Sequence, residues 1–358
     1  MKVAIITRST LYNAPGGDTV QAMETARHLA DMGVMAEIKL SNETIAYEDY
    51  DLLHFFNLIR PADILHHSKK AGKPFVVSTI LVNYSEYDKH HRKGAGMLFS
   101  HFSSDSIEYL KTMARWFLGR DHLSSLSYIW KGQRKSIMEI LNNAAFILPN
   151  SESEYRRVVQ MYPAPVKYNV VPNGINTDRF HYNNILKKDD LLVLCVARIE
   201  GIKNQLNLIK ALNNTRFKLL LIGNHSPNQT AYYNQCKDIA APNISFIDHL
   251  PQDELVEYYQ QAKVHVLPSW FETTGLSSVE AAVMGCNLVI TDKGDTKEYF
   301  EEYAFYCDPA QPQSIFAAIE KASAAAPNYQ LREKILDKYT WTKAAEQTFK
   351  AYQKTVVA

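Results

Sequence analysis

Pro268-Ser269-Trp270-Phe271-Glu272-Thr273-Thr274-Gly275-Leu276-Ser277-Ser278-Val279-Glu280-Ala281-Ala282 follows directly on the apolar run Val264 to Leu267. Read as strand, loop, glycine and helix, it is the carboxyl end of a parallel strand turning into a helix, the edge at which open α/β sheets bind ligands. The backbone N–H groups around Gly275 to Ser277 then stand at a helix N-terminus suited to anionic oxygens. Glu272 lies in the loop and Glu280 about one turn into the helix, so both can face one ligand. Ser277-x-x-Glu280 also fits a capping box, in which the glutamate only satisfies a backbone donor. That alternative leaves Glu272 and the small Gly275 without a role, and the whole constellation therefore reads as a binding site.

Around this stretch the chain alternates short apolar runs with longer amphipathic ones. Further strands are expected at Leu191 to Ala197, Phe217 to Ile222, Ile244 to Ile247 and Asn287 to Thr291. The first half repeats the pattern at Val3 to Thr7, Asp51 to Phe55, Phe75 to Thr79, Phe146 to Pro149 and Tyr168 to Val171, with a helix from Asp18 to Met32 closing at Gly33. Continuous apolar strands joined by helices imply parallel sheets covered on both faces. The pattern breaks at Val171-Pro172-Asn173-Gly174, where proline, asparagine and glycine punctuate the chain. For 358 residues this predicts an α/β protein of two Rossmann-like, doubly wound domains, 1–172 and 173–340, with a cleft between them. A final helix over Trp341 to Thr355 is free to complete the first domain.

Composition excludes several classes. A formal charge of +1 provides no field for nucleic acid. Cys195, Cys236, Cys286 and Cys307 form no C-x-x-C pair, so neither zinc nor a disulfide framework is expected and a reducing compartment is the natural reading. The opening MKVAIITRST has an apolar run too short for a signal core or a membrane span, which points to a cytoplasmic protein.

One segment departs from this balance. Residues 89–135 hold nine basic and three acidic side chains, a formal charge of +6, interleaved with Phe99, Phe102, Tyr109, Trp116, Phe117, Tyr128 and Trp130. Two readings stand: an inserted helical hairpin whose aromatics are core, or an amphipathic surface for peripheral attachment to anionic membrane.

Two further places carry chemistry. Arg198 follows the first strand of the second domain and Lys203 sits in the same loop, a pair of cations that matches a diphosphate. No clustered carboxylates accompany them, so a Mg²⁺ site is not expected and fixed cations with helix N-termini are expected to balance the diphosphate's charge. Pro15-Gly16-Gly17-Asp18, after the first strand, reads as a strand-to-helix turn with Asp18 as N-cap.

The frame F-E-x-x-G-L-x-x-x-E-A over Phe271 to Ala281, with two glutamates separated by seven residues, resembles the signature of glycosyltransferase family 4, retaining enzymes of GT-B fold. The resemblance also takes in Pro15-Gly16-Gly17, Val171-Pro172-Asn173-Gly174, Ala197-Arg198-Ile199 with Lys203, and Pro268-Ser269. It implies a nucleotide-diphosphate sugar as donor, UDP- or GDP-linked, a hexosyl group transferred without metal or other cofactor, and a saccharide or lipid-linked acceptor in surface polysaccharide or glycolipid assembly. Glu272 is then expected to contact the donor sugar and Glu280 the ribose. Arg198 and Lys203 are expected on the diphosphate, Gly275, Leu276 and Ser277 among the donor-binding groups, and Gly16 and Gly17 close to the donor phosphates. Thr273 and Thr274 depart from the family's proline and aromatic, leaving the sugar open. The histidine many relatives carry after the strand Phe75 to Thr79 is missing; Asn83, Glu86, Asp88 and His90 are nearby polar groups. A nucleotide-sugar epimerase of the same fold, or a non-catalytic nucleotide-sugar binder, are the rival expectations.

Overall fold

The computed structural model describes residues 1–13, 15–82, 87, 103–119 and 123–356. They fall into two compact units. Unit 1 takes the described residues of Met1–Leu81, Asp88–Asn173 and Trp341–Ala358, and unit 2 those of Val82–Tyr87 and Gly174–Thr340. Val82 and Tyr87 belong with unit 2 because they pack on Ile202, Trp270 and Phe271.

Unit 1 is a five-stranded parallel sheet, β1 (Lys2–Thr7), β2 (Met35–Leu40), β3 (Leu52–Phe56), β4 (Phe75–Ser78) and β5 (Phe146–Leu148), in the order β2-β1-β3-β4-β5. The order reverses between β1 and β3, the point at which such sheets open a crevice. Its described helices are α1 (Gly17–Asp31), α2 (Pro61–Ala71), α3 (Ser104–Phe117), α4 (Ser127–Asn143) and α5 (Glu152–Met161), joined by the C-terminal helix Trp341–Val356. Central strands are buried on both faces, so Ala4, Ile6, Leu53, Phe55, Val77 and Ile147 close on Ile137, Ile140 and Val158. The C-terminal helix packs on α1 and is pinned by a polar contact. Its Tyr352 hydroxyl lies 2.7 Å from Nδ1 of buried His54, whose Nε2 meets Ser78 Oγ at 2.9 Å. Burial holds the pKa of that imidazole down at about 3, so the bridge is between neutral groups.

Unit 2 has six parallel strands, β6 (Asp189–Val196), β7 (Lys218–Ile222), β8 (Ile244–Ile247), β9 (Ala262–Leu267), β10 (Asn287–Thr291) and β11 (Phe305–Cys307), in the order β8-β7-β6-β9-β10-β11. The helices are α6 (Gln205–Leu212), α7 (Thr230–Ile239), α8 (Gln252–Gln261), α9 (Leu276–Val283), α10 (Thr296–Phe300), α11 (Pro312–Ala324) and α12 (Tyr329–Lys338). Here the reversal falls between β6 and β9, the strands that precede Arg198 and Glu272.

Two strands, β2 and β11, have no apolar run to announce them. Both are edges: β2 alternates Glu37 and Lys39 with half-buried neighbours, and β11 is three residues long. Conversely, the strand expected at Tyr168 to Val171 reduces to one bridge, Ile147 to Tyr168, because Pro172 closes it.

Candidate functional site

The loop after β6 leaves the sheet in a fixed path. Ala197 N–H donates to Ile222 O (3.1 Å) and Ile199 N–H to Asn224 O (2.9 Å), so it runs alongside the end of β7. Gly223, at φ +143, permits the approach: a Cβ there would lie 2.2 Å from Ala197 O. A single 3₁₀ turn, Gly201–Lys203, then hands over to Asn204 in the left-handed region (φ 62), where asparagine is tolerated. Asn204 is buried and its amide donates to Pro268 O (3.0 Å) and Pro309 O (2.7 Å), tying the β6 loop to the end of β9.

That tie brings Lys203 and Glu272 together. Lys203 Nζ lies 2.6 Å from Glu272 Oε1, which also accepts from Ser269 Oγ at 2.6 Å. The Glu272 backbone is held as well, its N–H on Lys293 O (3.2 Å) and its carbonyl receiving Asp295 N–H (2.9 Å). Gly294 sits between at φ +91, where a Cβ would come within 2.0 Å of Glu272 O. Arg198 is brought to the same edge but not into the pair: half exposed, it donates to Glu200 Oε1 at 3.2 Å.

Gly275, at φ +73, is the N-cap of α9, and Leu276 and Ser277 open the helix. Ser277 is therefore not a cap, and the capping-box explanation of Glu280 fails. Glu280 turns instead to α8, where its two oxygens accept from Gln252 Nε2 (3.0 Å) and Tyr259 OH (2.9 Å). Gln252 is itself oriented, because its carbonyl oxygen accepts from the Arg179 guanidinium and so directs its NH₂ at the carboxylate. Buried Lys188 fixes the end of α8 by donating to the carbonyls of Tyr259 (2.7 Å) and Ala262 (3.0 Å). Burial outweighs the donors from Tyr259 and Gln252 and pushes the Glu280 carboxyl up to about 7. Sequence reading gave no role to Ser269, Asn204, Gln252 or Tyr259; only Ser269, within the resemblance beside the glutamate frame, carried a local signal.

In unit 1 the helix start differs from the sequence reading. Gly16 is the N-cap and Gly17 the first residue of α1, since Thr19 N–H and Val20 N–H both bond to Gly16 O (3.0 and 3.2 Å). Asp18 is thus not the cap; it lies in the first turn and takes Arg8 Nε and Nη2 at 2.6 and 3.0 Å, a two-pronged ion pair. After β4, Ile80 is held at φ +46, an uncommon conformation for a β-branched residue. Buried Glu154 pins it from both sides, accepting from Thr79 Oγ1 (2.5 Å) and Leu81 N–H (2.7 Å). Asn83, Glu86, Asp88 and His90 lie outside the described residues, as do 89–102 and 120–122 of the basic segment.

Among the described residues, no group of three or more His, Cys, Asp or Glu side chains is placed to hold a metal ion. Asp49-Tyr50-Asp51 is a D-x-D triplet, but it precedes β3, at the opposite edge of the sheet from the loops, and Asp51 accepts from Lys2 N–H at 2.8 Å. The four cysteines are free and buried.

Comparison with known proteins converges on one activity class. A family model described as glycosyl transferases group 1 matches residues 176–337, within unit 2. The chain is 25% identical over 179 residues to the D-inositol 3-phosphate glycosyltransferase of Acidothermus cellulolyticus, a match over 44% of this chain and 40% of that protein. It is 22% identical over 396 residues to an uncharacterized glycosyltransferase of Methanocaldococcus jannaschii, covering 99% of this chain and 98% of the relative. Among solved structures, sucrose-phosphate synthase from Thermosynechococcus elongatus superposes with a TM-score of 0.77 at 16% identity, covering 99% and 98% of the two chains. Anabaena HepE, solved with UDP and glucose, gives a TM-score of 0.62 at 15% identity, covering 100% and 96%. The fold is the two-domain Rossmann-like architecture of the GT-B glycosyltransferases, and the relatives matched in sequence are glycosyltransferases.

Proposed function

We propose that this chain is a retaining glycosyltransferase of the family 4 type, moving a hexosyl group from a UDP- or GDP-sugar to a saccharide or lipid-linked acceptor without a metal ion. The observation that carries the reading is the Lys203–Glu272 pair, 2.6 Å apart where the strand order of unit 2 reverses, with the N-terminus of α9 following Glu272 in sequence. Breaking the anomeric C–O bond leaves negative charge on the diphosphate, and preorganised cations and N–H dipoles stabilise it in place of a metal. Lys203 and Arg198 are the cations, and the amides of Leu276 and Ser277 the dipoles. Ser269 and Lys203 both donate to Glu272 Oε1, so this carboxylate positions the sugar through Oε2 and is not freed to act as a nucleophile. Glu280, steadied by Tyr259 and Gln252, accepts from the ribose hydroxyls. That HepE is solved with UDP-glucose supports a nucleotide-sugar donor.

A test is transfer from radiolabelled UDP- and GDP-hexoses in excess EDTA, with the product anomer read by NMR and donor alone as the control. The reading expects an acceptor-dependent product of unchanged anomeric configuration. Abolition by EDTA with rescue by Mg²⁺ would contradict the metal-free mechanism, and conversion of donor without acceptor would identify an epimerase.

A further inference from the structure

Helix α3 is amphipathic with its apolar stripe on the wrong side for a core. None of its 14 residues is buried. Its inner side meets α4: Tyr109 and Trp116, seven residues apart, pack around Tyr128 and Leu123, and Tyr109 OH donates to Ile129 O at 2.7 Å. Asp105, on the same side, accepts from Tyr162 OH and lies 3.6 Å from Arg134. At about 100° per residue, Phe117, Leu110, Ala114, Ile107 and Leu118 project within one arc that runs from the flank to the side opposite Tyr109 and Trp116. Leu110, Phe117 and Leu118 are 43%, 77% and 64% exposed. A helix placed only to cover unit 1 would carry polar residues there.

The charge beside the stripe is cationic. Lys111 and Arg115 follow it along one flank. At the start of α4, Leu126 and Trp130 are 63% and 72% exposed, with Arg134 and Lys135 exposed one turn further on. The acidic groups nearby are paired and outnumbered: Glu108 takes Lys111 at 2.7 Å, Asp105 takes Arg134, and Lys69 and Lys131 converge on the single carboxylate of Glu139, at 2.7 and 2.5 Å, so that with Arg115 and Lys135 the cations are in excess. Leucine and aromatic side chains bordered by lysine and arginine fit the acyl boundary and headgroups of an anionic bilayer, whereas a protein partner would need an acidic, apolar groove of matching shape. No described helix is long and apolar enough to cross a membrane.

We propose that the outer face of α3, with the exposed start of α4, docks unit 1 on anionic membrane, its apolar side chains entering the interface and Lys111 and Arg115 meeting lipid phosphates. This surface is independent of the donor site and would hold the chain beside a lipid-linked acceptor.

The test is co-sedimentation of the full chain with phosphatidylcholine vesicles, with and without phosphatidylglycerol, at low and high salt. Binding is expected only to the anionic vesicles and should weaken with salt. Phe117→Asp with Leu118→Asp should lower partitioning by at least about tenfold, and Lys111→Glu with Arg115→Glu by about fivefold per cation or more. Both pairs should melt close to the unmodified chain, since the altered side chains are exposed and the Lys111–Glu108 pair they touch is a surface one. Intrinsic tryptophan quenching of the unmodified chain by brominated lipid is a second measurement that needs no variant. Equal recovery in the supernatant with both vesicle types, or undiminished binding by Phe117→Asp/Leu118→Asp, would overturn the proposal. So would vesicle-independent dimerisation abolished by the same pair, which would assign the face to a second copy of the chain.

Discussion

The two units present similar sheet edges and use them differently. In unit 2 the loops around the ends of β6 and β9 are fixed by positive-φ backbone that favours glycine or asparagine, at Gly223, Asn204, Gly275 and Gly294. Lys203 and Glu272 are presented on that frame as an ion pair, 2.6 Å apart. Among the described residues of unit 1, charged groups at the edge are spent on structure: Arg8 on Asp18, and Glu154 on the strained turn at Ile80. Preorganisation of this kind lets fixed charges act on a leaving group without reorganising, and this is the ground for proposing donor chemistry in unit 2.

The sharpest way to break the contrast is a methyl group. Gly294→Ala places a Cβ 2.0 Å from the Glu272 carbonyl at a φ of +91, so it should cost roughly 3 kcal/mol and displace Glu272. A denaturant melt unchanged by the substitution would show that the frame is not rigid. Lys203→Ala comes next: it should lower kcat by roughly 10²-fold or more, by analogy with loss of one preorganised oxyanion donor. A change confined to KM would mean that Lys203 acts only in ground-state binding.

A pH titration separates Glu280 from its neighbours. Its folded pKa, about 7, lies above its ordinary 4.5, so its contribution to stability is full below about 4.5 and is lost as pH rises through 7. Above that the buried charge costs about 3 kcal/mol relative to an unperturbed carboxyl. Nucleotide affinity should run the other way, falling up to about tenfold per unit below pH 7 as the ribose acceptor is protonated. Glu280→Gln should flatten both curves, and parallel profiles for the two proteins would remove Glu280 from the account. The smallest effect is expected in unit 1. At Gly16 the φ of −155 suits any residue and a Cβ would meet only Asp18 Oδ1 at 3.1 Å, so Gly16→Ala should cost under about 1 kcal/mol in a thermal melt.

Much of the fold was legible because buried parallel strands are apolar throughout: Ile5, Phe55, Val77, Val193, Leu219 and Val266 mark their strands without help. β2 and β11 lack that mark, the first because Glu37 and Lys39 interrupt it and the second because it is three residues long, which is why they were not. The glutamate frame was legible because its spacing is local. What surrounds it was not, because Tyr259 and Gln252 reach Glu280 from 21 and 28 residues away, a proximity that only the packing of α8 on the sheet creates. Asp18 was misplaced as a cap because Thr19 supplies a reciprocal bond to Gly16 N–H (3.0 Å) that starts the helix earlier.

The central claim is that unit 2 holds the donor, with Glu280 on the ribose and Glu272 on the sugar. Calorimetric titration with free nucleoside diphosphate tests it most directly, because that ligand has a ribose and no sugar. Glu280→Gln gives up charge-assisted bonds and should weaken binding by about 1.5 to 3 kcal/mol. Glu272→Gln removes the ion-pair partner of Lys203, so nucleotide affinity should stay level or rise, while its kcat with the intact donor falls. Equal loss of nucleotide affinity in both variants, or none in Glu280→Gln, would contradict the assignment.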